Sequence, residues 1–395
     1  MGLQKKQYLQ RQSGVELLKL IAILLIIINH LTQTWFDYSG TSLSVAGMNL
    51  SQFVLVFYRY FGTIGNLIFF TCSAWFLLDK QRTKKQKVLL MLMDIWVISV
   101  LYFIIPLATK ASFISKELIL RTLFPTTYEN NWYLTCYILF YMLFPFLNII
   151  LRGIDRKTHF RIVVVLSFLY LVVNNITLKG RFYITNILVW ITIYFMIAYM
   201  KEYQGKYHNN LKRNTLVLCL SIPVLVAFIA AIYWLSLKFS LSNKWLLFWD
   251  RPNHPIIIVM AIAALNVARN LKFKSAVVNY LSSLSLHIYI IHENFIFREH
   301  YRQYMWKFVC DRFGAHHIWL WALLLAVVLF AASVAAATVY KFTLQKLTTK
   351  LSAWILALVR KPYIKVEKKL MGAEKETVAD TPQTDKELVV SNTSQ

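Results

Sequence analysis

Residues 13–36 read SGVELLKLIAILLIIINHLTQTWF. An apolar run of this length suffices for a helix to cross a hydrocarbon core of about 30 Å. Beyond Glu16 in its first turn, Lys19 and His30 interrupt the run, with ten residues between them. Eleven helical steps turn the chain by about 1100°, within roughly 20° of three full turns, so both side chains lie on one face. Along the axis they are about 16 Å apart. Ionisable groups at membrane depth are costly and face a partner or a wet cavity. A cation near the mouth and an imidazole three turns inward suit a charged donor molecule that reaches into the bilayer.

The whole composition agrees with a membrane environment. Hydrophobic residues make up 58% of the chain and charged residues only 15%, with a mean hydropathy of +0.51. This is far from the balance of a soluble domain. Ten apolar stretches predict membrane helices near 16–36, 58–79, 88–108, 132–151, 160–177, 184–200, 214–236, 254–270, 277–297 and 317–340. The first is too long for a signal peptide and lacks a small-residue cleavage site, so it reads as a permanent helix. The expectation is an all-α polytopic protein with both termini cytoplasmic.

Charge supports that orientation. The formal net charge is +25, which alone would be compatible with nucleic-acid binding. With ten crossings, however, 29 of the 43 Lys and Arg fall on the side of the termini and 12 on the other. Such an excess marks the cytoplasmic face. The basic segments are then expected at anionic headgroups, and no nucleic-acid partner is expected. Cys72, Cys136 and Cys219 lie within spans and Cys310 in an external loop. There is no CxxC, so neither a disulfide framework nor a metal site is indicated.

The connections are short, which makes residues 1–340 one membrane domain. Residues 341–370 read as a basic amphipathic segment for the inner surface. Residues 371–395 are polar and aperiodic, which predicts disorder.

His30 is the candidate general base, able to accept a proton from an attacking hydroxyl. Lys19 is the candidate phosphate anchor, although Glu16 one turn earlier could simply pair with it. A second basic cluster, Lys80 to Lys87, follows the second span and includes Arg82 and Lys85. Tyr289, His292 and Glu293 share a helix face at i, i+3 and i+4 and are candidates for acceptor binding at the external mouth, together with Trp132 and Tyr133. Asp94 is a membrane acid expected to pair with a residue of the basic cluster.

Four stretches resemble, in order, the acyltransferase-3 family of integral membrane acyltransferases, in particular bacterial polysaccharide O-acetyltransferases. Residues 14–30, GVELLKLIAILLIIINH, resemble its opening helix with an Arg/Lys-x10-His motif. Residues 68–78, IFFTCSAWFLL, resemble its FFxxSGF stretch, and 131–147, NWYLTCYILFYMLFPFL, its WYL helix. Residues 279–293, NYLSSLSLHIYIIHE, resemble its late IYLIH helix. Two departures stand out: Lys19 replaces the more frequent arginine and lacks its bidentate fork, and Ala74 replaces a glycine.

The resemblance implies acetyl transfer from cytoplasmic acetyl-CoA to a hydroxyl of a surface polysaccharide or its lipid-linked precursor. Lys19, Arg82 and Lys85 would hold the CoA phosphates, and His30 would be the catalytic base. Asn29, Ser73 and Tyr133 are candidates for stabilising the oxyanion. A polysaccharide exporter would share the spans and the basic face, but it gives no reason for a cation and a base on one helix face. A polymerase would call for a large external loop, which is missing. The sequence leaves the acceptor sugar, the acyl chain and the oligomeric state open.

Overall fold

The computed structural model describes residues 11–40, 48–128, 130–173, 186–240 and 244–371, which form helices with no strand among them. Six helices are long and apolar enough to cross a membrane. They are α1 (Ser13–Ser39), α2 (Leu50–Leu77), α3 (Lys85–Ala108), α5 (Trp132–Gly153), α8 (Leu211–Lys238) and α13 (Ile318–Thr343). Between them lie α4 (Lys116–Leu123), α6 (Arg156–Ser167) continued by a π-helical turn (Phe168–Val173), and α7 (Asn186–Tyr203). The shorter apolar α9 spans Pro255–Asn270.

The ninth expected span is a broken helix, α10 (Ala276–Ser283) and α11 (Ser285–His292), hinged at Leu284. Serines flank the break on both sides, and serine hydroxyls compete with the backbone for hydrogen bonds. Ser283 Oγ donates to the Tyr280 carbonyl at 2.6 Å, and Ser282 Oγ donates to Glu16 Oε2 at 2.5 Å. Beyond α11 come a π-helical turn (Phe297–Tyr301) and α12 (Gln303–Phe313). The last described helix is α14 (Gln345–Met371). The tail expected beyond it lies outside the described residues, as do the end of the fifth span and the start of the sixth.

The six long apolar helices fall on the first, second, third, fourth, seventh and tenth expected spans, and α9 is a shorter apolar helix at the eighth. The central element is α1, which packs against α2, α9, α10, α11 and α13. Its contact with α2 is close because glycine faces it: a Cβ on Gly65 would stand 2.5 Å from the Ala22 carbonyl oxygen. Small residues at such crossings let membrane helices approach.

The basic turns gather at one end of the bundle. There Ser275 N–H donates to Ser13 Oγ, Asn148 Nδ2 donates to the carbonyls of Leu77 and Lys80, and Lys201 pairs with Asp79 at 2.6 Å. Lys341 Nζ donates to Ser283 Oγ at the same end, so α1 begins where α13 finishes.

Asp94 corrects one expectation. It is buried in α3 but meets no residue of the basic cluster. Instead it accepts from Tyr340 Oη at 2.7 Å and Thr348 Oγ1 at 3.2 Å, with His287 Nε2 at 3.2 Å. A buried carboxylate needs such partners, and these tie α13, α14 and the broken helix to α3.

Candidate active site

His30 lies on the face of α1 that Lys19 and Ile26 also occupy, and the structure surrounds it with groups from the far end of the sequence. His30 Nδ1 is 2.8 Å from Glu293 Oε2 and 3.3 Å from His292 Nε2, 262 positions away. The tautomers follow from the partners. His292 Nδ1 lies 2.8 Å from the Ile288 carbonyl oxygen, so it carries hydrogen and its Nε2 is an acceptor. His30 Nδ1 faces that acceptor and a carboxylate, and therefore carries hydrogen too. The lone pair on His30 is left on Nε2, the arrangement a general base requires.

Glu293 is fixed from its other side. Arg302 Nη1 donates to Oε2 at 2.8 Å and Arg298 Nη1 to Oε1 at 3.0 Å. Both arginines come from the turn that follows Glu293, four positions apart, and the π-helical geometry brings them onto one carboxylate. Arg302 is only 2% exposed. Its Nε donates to Thr34 Oγ1 at 2.6 Å, and that hydroxyl donates to the His30 carbonyl at 3.0 Å. One guanidinium thus spans the carboxylate and the helix turn that carries His30. Farther out, Arg298 also meets Glu299 at 2.8 Å, and Arg121 of α4 holds Glu299 with two bonds of 2.8 and 2.6 Å. These arginines hold the Glu299 carboxyl below its usual range despite its partial burial.

Among the described residues, His30, His292 and Glu293 are a group that could hold a metal ion, with ligand atoms within 4.8 Å. Both Glu293 oxygens already meet guanidinium nitrogens, and a cation there would face two like charges. The donor set fits an ion-pair and hydrogen-bond network better than a metal.

A cavity of about 220 Å³ lies along the Lys19 face of α1. Lys19 and Lys87 line it together with Ile26, Ser73, Tyr133 and Tyr289. Rings connect its lining to the base. Tyr133 and Tyr289 have centroids 5.8 Å apart, Tyr289 and His292 5.7 Å, and His292 and His30 5.4 Å. Lys19 also pairs with Glu16 at 2.7 Å, as its spacing one turn on allows.

The expected residues therefore divide. Lys19, Tyr133 and Tyr289 share one cavity, whereas Tyr133 and Tyr289 were expected at the acceptor mouth. His292 and Glu293 are buried partners of His30, with Glu293 oriented toward the base and not toward an open mouth. Trp132 is partly exposed, edge-on to Tyr133, and does not line the cavity. Arg82 and Lys85 do not join Lys19 but line a different groove. Lys87 lines the cavity with Lys19 instead, because two residues along a helix rotate a side chain by about 200°.

Comparison with known proteins identifies the family. A family model described as an acyltransferase domain matches residues 12–341. No curated protein and no solved structure gives a significant match. The matched region runs from the start of α1 into the last turn of α13, and it holds His30, Glu293 and the cavity between two lysines; the chain belongs to the acyltransferase-3 family and is a membrane acyltransferase.

Proposed function

We propose that the protein transfers an acetyl group from cytoplasmic acetyl-CoA to a hydroxyl of a surface polysaccharide or its lipid-linked precursor in a bacterial cell membrane. The observation that carries this reading is the His30–Glu293 pair with Nε2 left unprotonated, close to a narrow cavity that Lys19 and Lys87 line. Lysine ammonium groups serve as point charges for phosphates. The donor's phosphates rest at Lys19 and Lys87, and its extended thiol arm follows α1 toward His30.

In the reaction, His30 Nε2 takes the proton of the acceptor hydroxyl as its oxygen attacks the thioester carbonyl carbon. The tetrahedral intermediate collapses with cleavage of the carbon–sulfur bond. The departing thiolate recovers the proton from His30 Nε2, which yields the ester and free CoA. Throughout, Glu293 stays ionised and keeps the Nδ1 hydrogen, which fixes the ring and offsets the imidazolium charge.

The test is His30→Gln, measured as acetylation of surface glycan by a correctly inserted protein that still binds acetyl-CoA. General-base loss costs about 10²–10⁴ in rate, so acetylation should fall below detection. Near-normal acetylation by His30→Gln would end the proposal. Intact polymer export with lost acetylation separates it from the exporter reading.

A further inference from the structure

A groove of about 970 Å³ runs between α3, α5 and α14 at the end where the basic turns gather. Its walls are apolar, with Val88, Leu92, Phe146 and Leu356 among them, and Arg82 and Lys85 stand at its polar rim. Phe146 is 64% exposed, so the groove opens sideways toward lipid as well as toward the rim. No ion pair or side-chain hydrogen bond engages the Arg82 guanidinium among the described residues. The wall formed by α14 turns polar residues toward the bundle and apolar ones outward. Its Thr348 and Ser352 are buried against the bundle, while Leu347, Trp354 and Leu358 are exposed.

We propose that this groove is a binding site for one anionic phospholipid, with its headgroup between Arg82 and Lys85 and its acyl chains along α3 and α5. The charge and the walls together choose the occupant. A cationic rim above a long apolar trough matches an amphiphile with an anionic head. A nucleotide would leave that trough facing polar groups. The opposite face of α3 carries Lys87 and Met91 of the donor cavity. A bound lipid therefore braces the helix that lines the donor site and joins α14 to it. This inference stands independently of the acceptor chemistry.

The experiment uses the full chain, purified in mild detergent, with lipid retention read by native mass spectrometry. Phosphatidylglycerol should be retained in preference to phosphatidylcholine at equal concentration. Arg82→Gln and Lys85→Gln should each lower retention about fivefold, the effect of one basic residue near an anionic headgroup. Val88→Trp, which fills the trough and leaves the rim charges intact, should also lower it, while Leu324→Trp on the exposed face of α13 should not. Saturating acetyl-CoA should leave the lipid in place. Equal retention of the two lipids, or no effect of Val88→Trp in a monodisperse protein, would overturn the proposal. So would displacement of phosphatidylglycerol by acetyl-CoA, which would assign the groove to the donor.

Discussion

Glu293→Gln isolates the role of the carboxylate behind His30. The substitution keeps the shape but removes the charge 2.8 Å from His30 Nδ1. Two costs follow. Loss of a hydrogen bond to a charged group is worth about 1.5–3 kcal/mol, or roughly 10–150-fold in rate. The amide can also present its NH2 to Nδ1, which moves the ring hydrogen to Nε2 and disables the base. In serine-protease triads the matching Asp→Asn change costs about 10⁴. We expect a loss of about 10²–10⁴, within that range of costs.

Removal of one partner from a buried ion pair is also destabilising, by about 3–5 kcal/mol, because Arg302 keeps only Thr34. The assay must therefore count folded enzyme, by monodispersity and acetyl-CoA affinity, before turnover is compared. Glu293→Asp supplies a second arm. It keeps the charge for both arginines but withdraws the oxygen from His30, so it should fold better and still lose rate. A folded Glu293→Gln enzyme within tenfold of the parent rate would refute the orienting role.

Lys19→Ala and Lys87→Ala should each raise the acetyl-CoA concentration needed for half-maximal rate, Lys19→Arg should not, and the requirement should grow with ionic strength; an unchanged requirement would make Lys19 only a partner of Glu16. An impermeant thiol reagent added outside cells should reach Cys310 but not a cysteine introduced at Lys84, and the reverse pattern would invert the proposed topology. Burial pushes the Asp250 carboxyl, beside Thr63 at 2.5 Å, up to about 6. A raised acid favours the fold while protonated and loses that contribution as pH rises through the folded value. The melting temperature of Asp250→Asn should therefore gain on that of the parent between pH 5 and pH 7, and a constant difference would reject the assignment.

The helices were legible because burial in lipid demands apolar runs, and each run leaves its length in the sequence. The Lys19–His30 face was legible because helical periodicity is local. What joined His30 to Glu293 was not, since nothing local records which late helix returns to α1. The i, i+3, i+4 pattern of Tyr289, His292 and Glu293 placed these side chains on one face but did not show that it turns toward His30. Arg298 and Arg302 were missed as partners, although their spacing after an intramembrane acid was an available signal. Lys87 was lost within a run of like charges, where only the angular position on α3 separates the cavity beside Lys19 from the groove beside Arg82.

The row of charges that begins at Arg121 and passes through Glu299, Arg298 and Glu293 to Arg302 contains three guanidiniums and two carboxylates. It leaves the neighbourhood of the base with a surplus positive charge before any substrate arrives. On the proposed pathway, proton uptake by His30 adds a second positive charge at the moment an oxyanion forms on the thioester. A low-dielectric interior would penalise the first event alone, and the fixed surplus makes the second event its natural compensation. Charge separation in the transition state is thus balanced by a field set in place when the chain folds, and α4 is one of its supports.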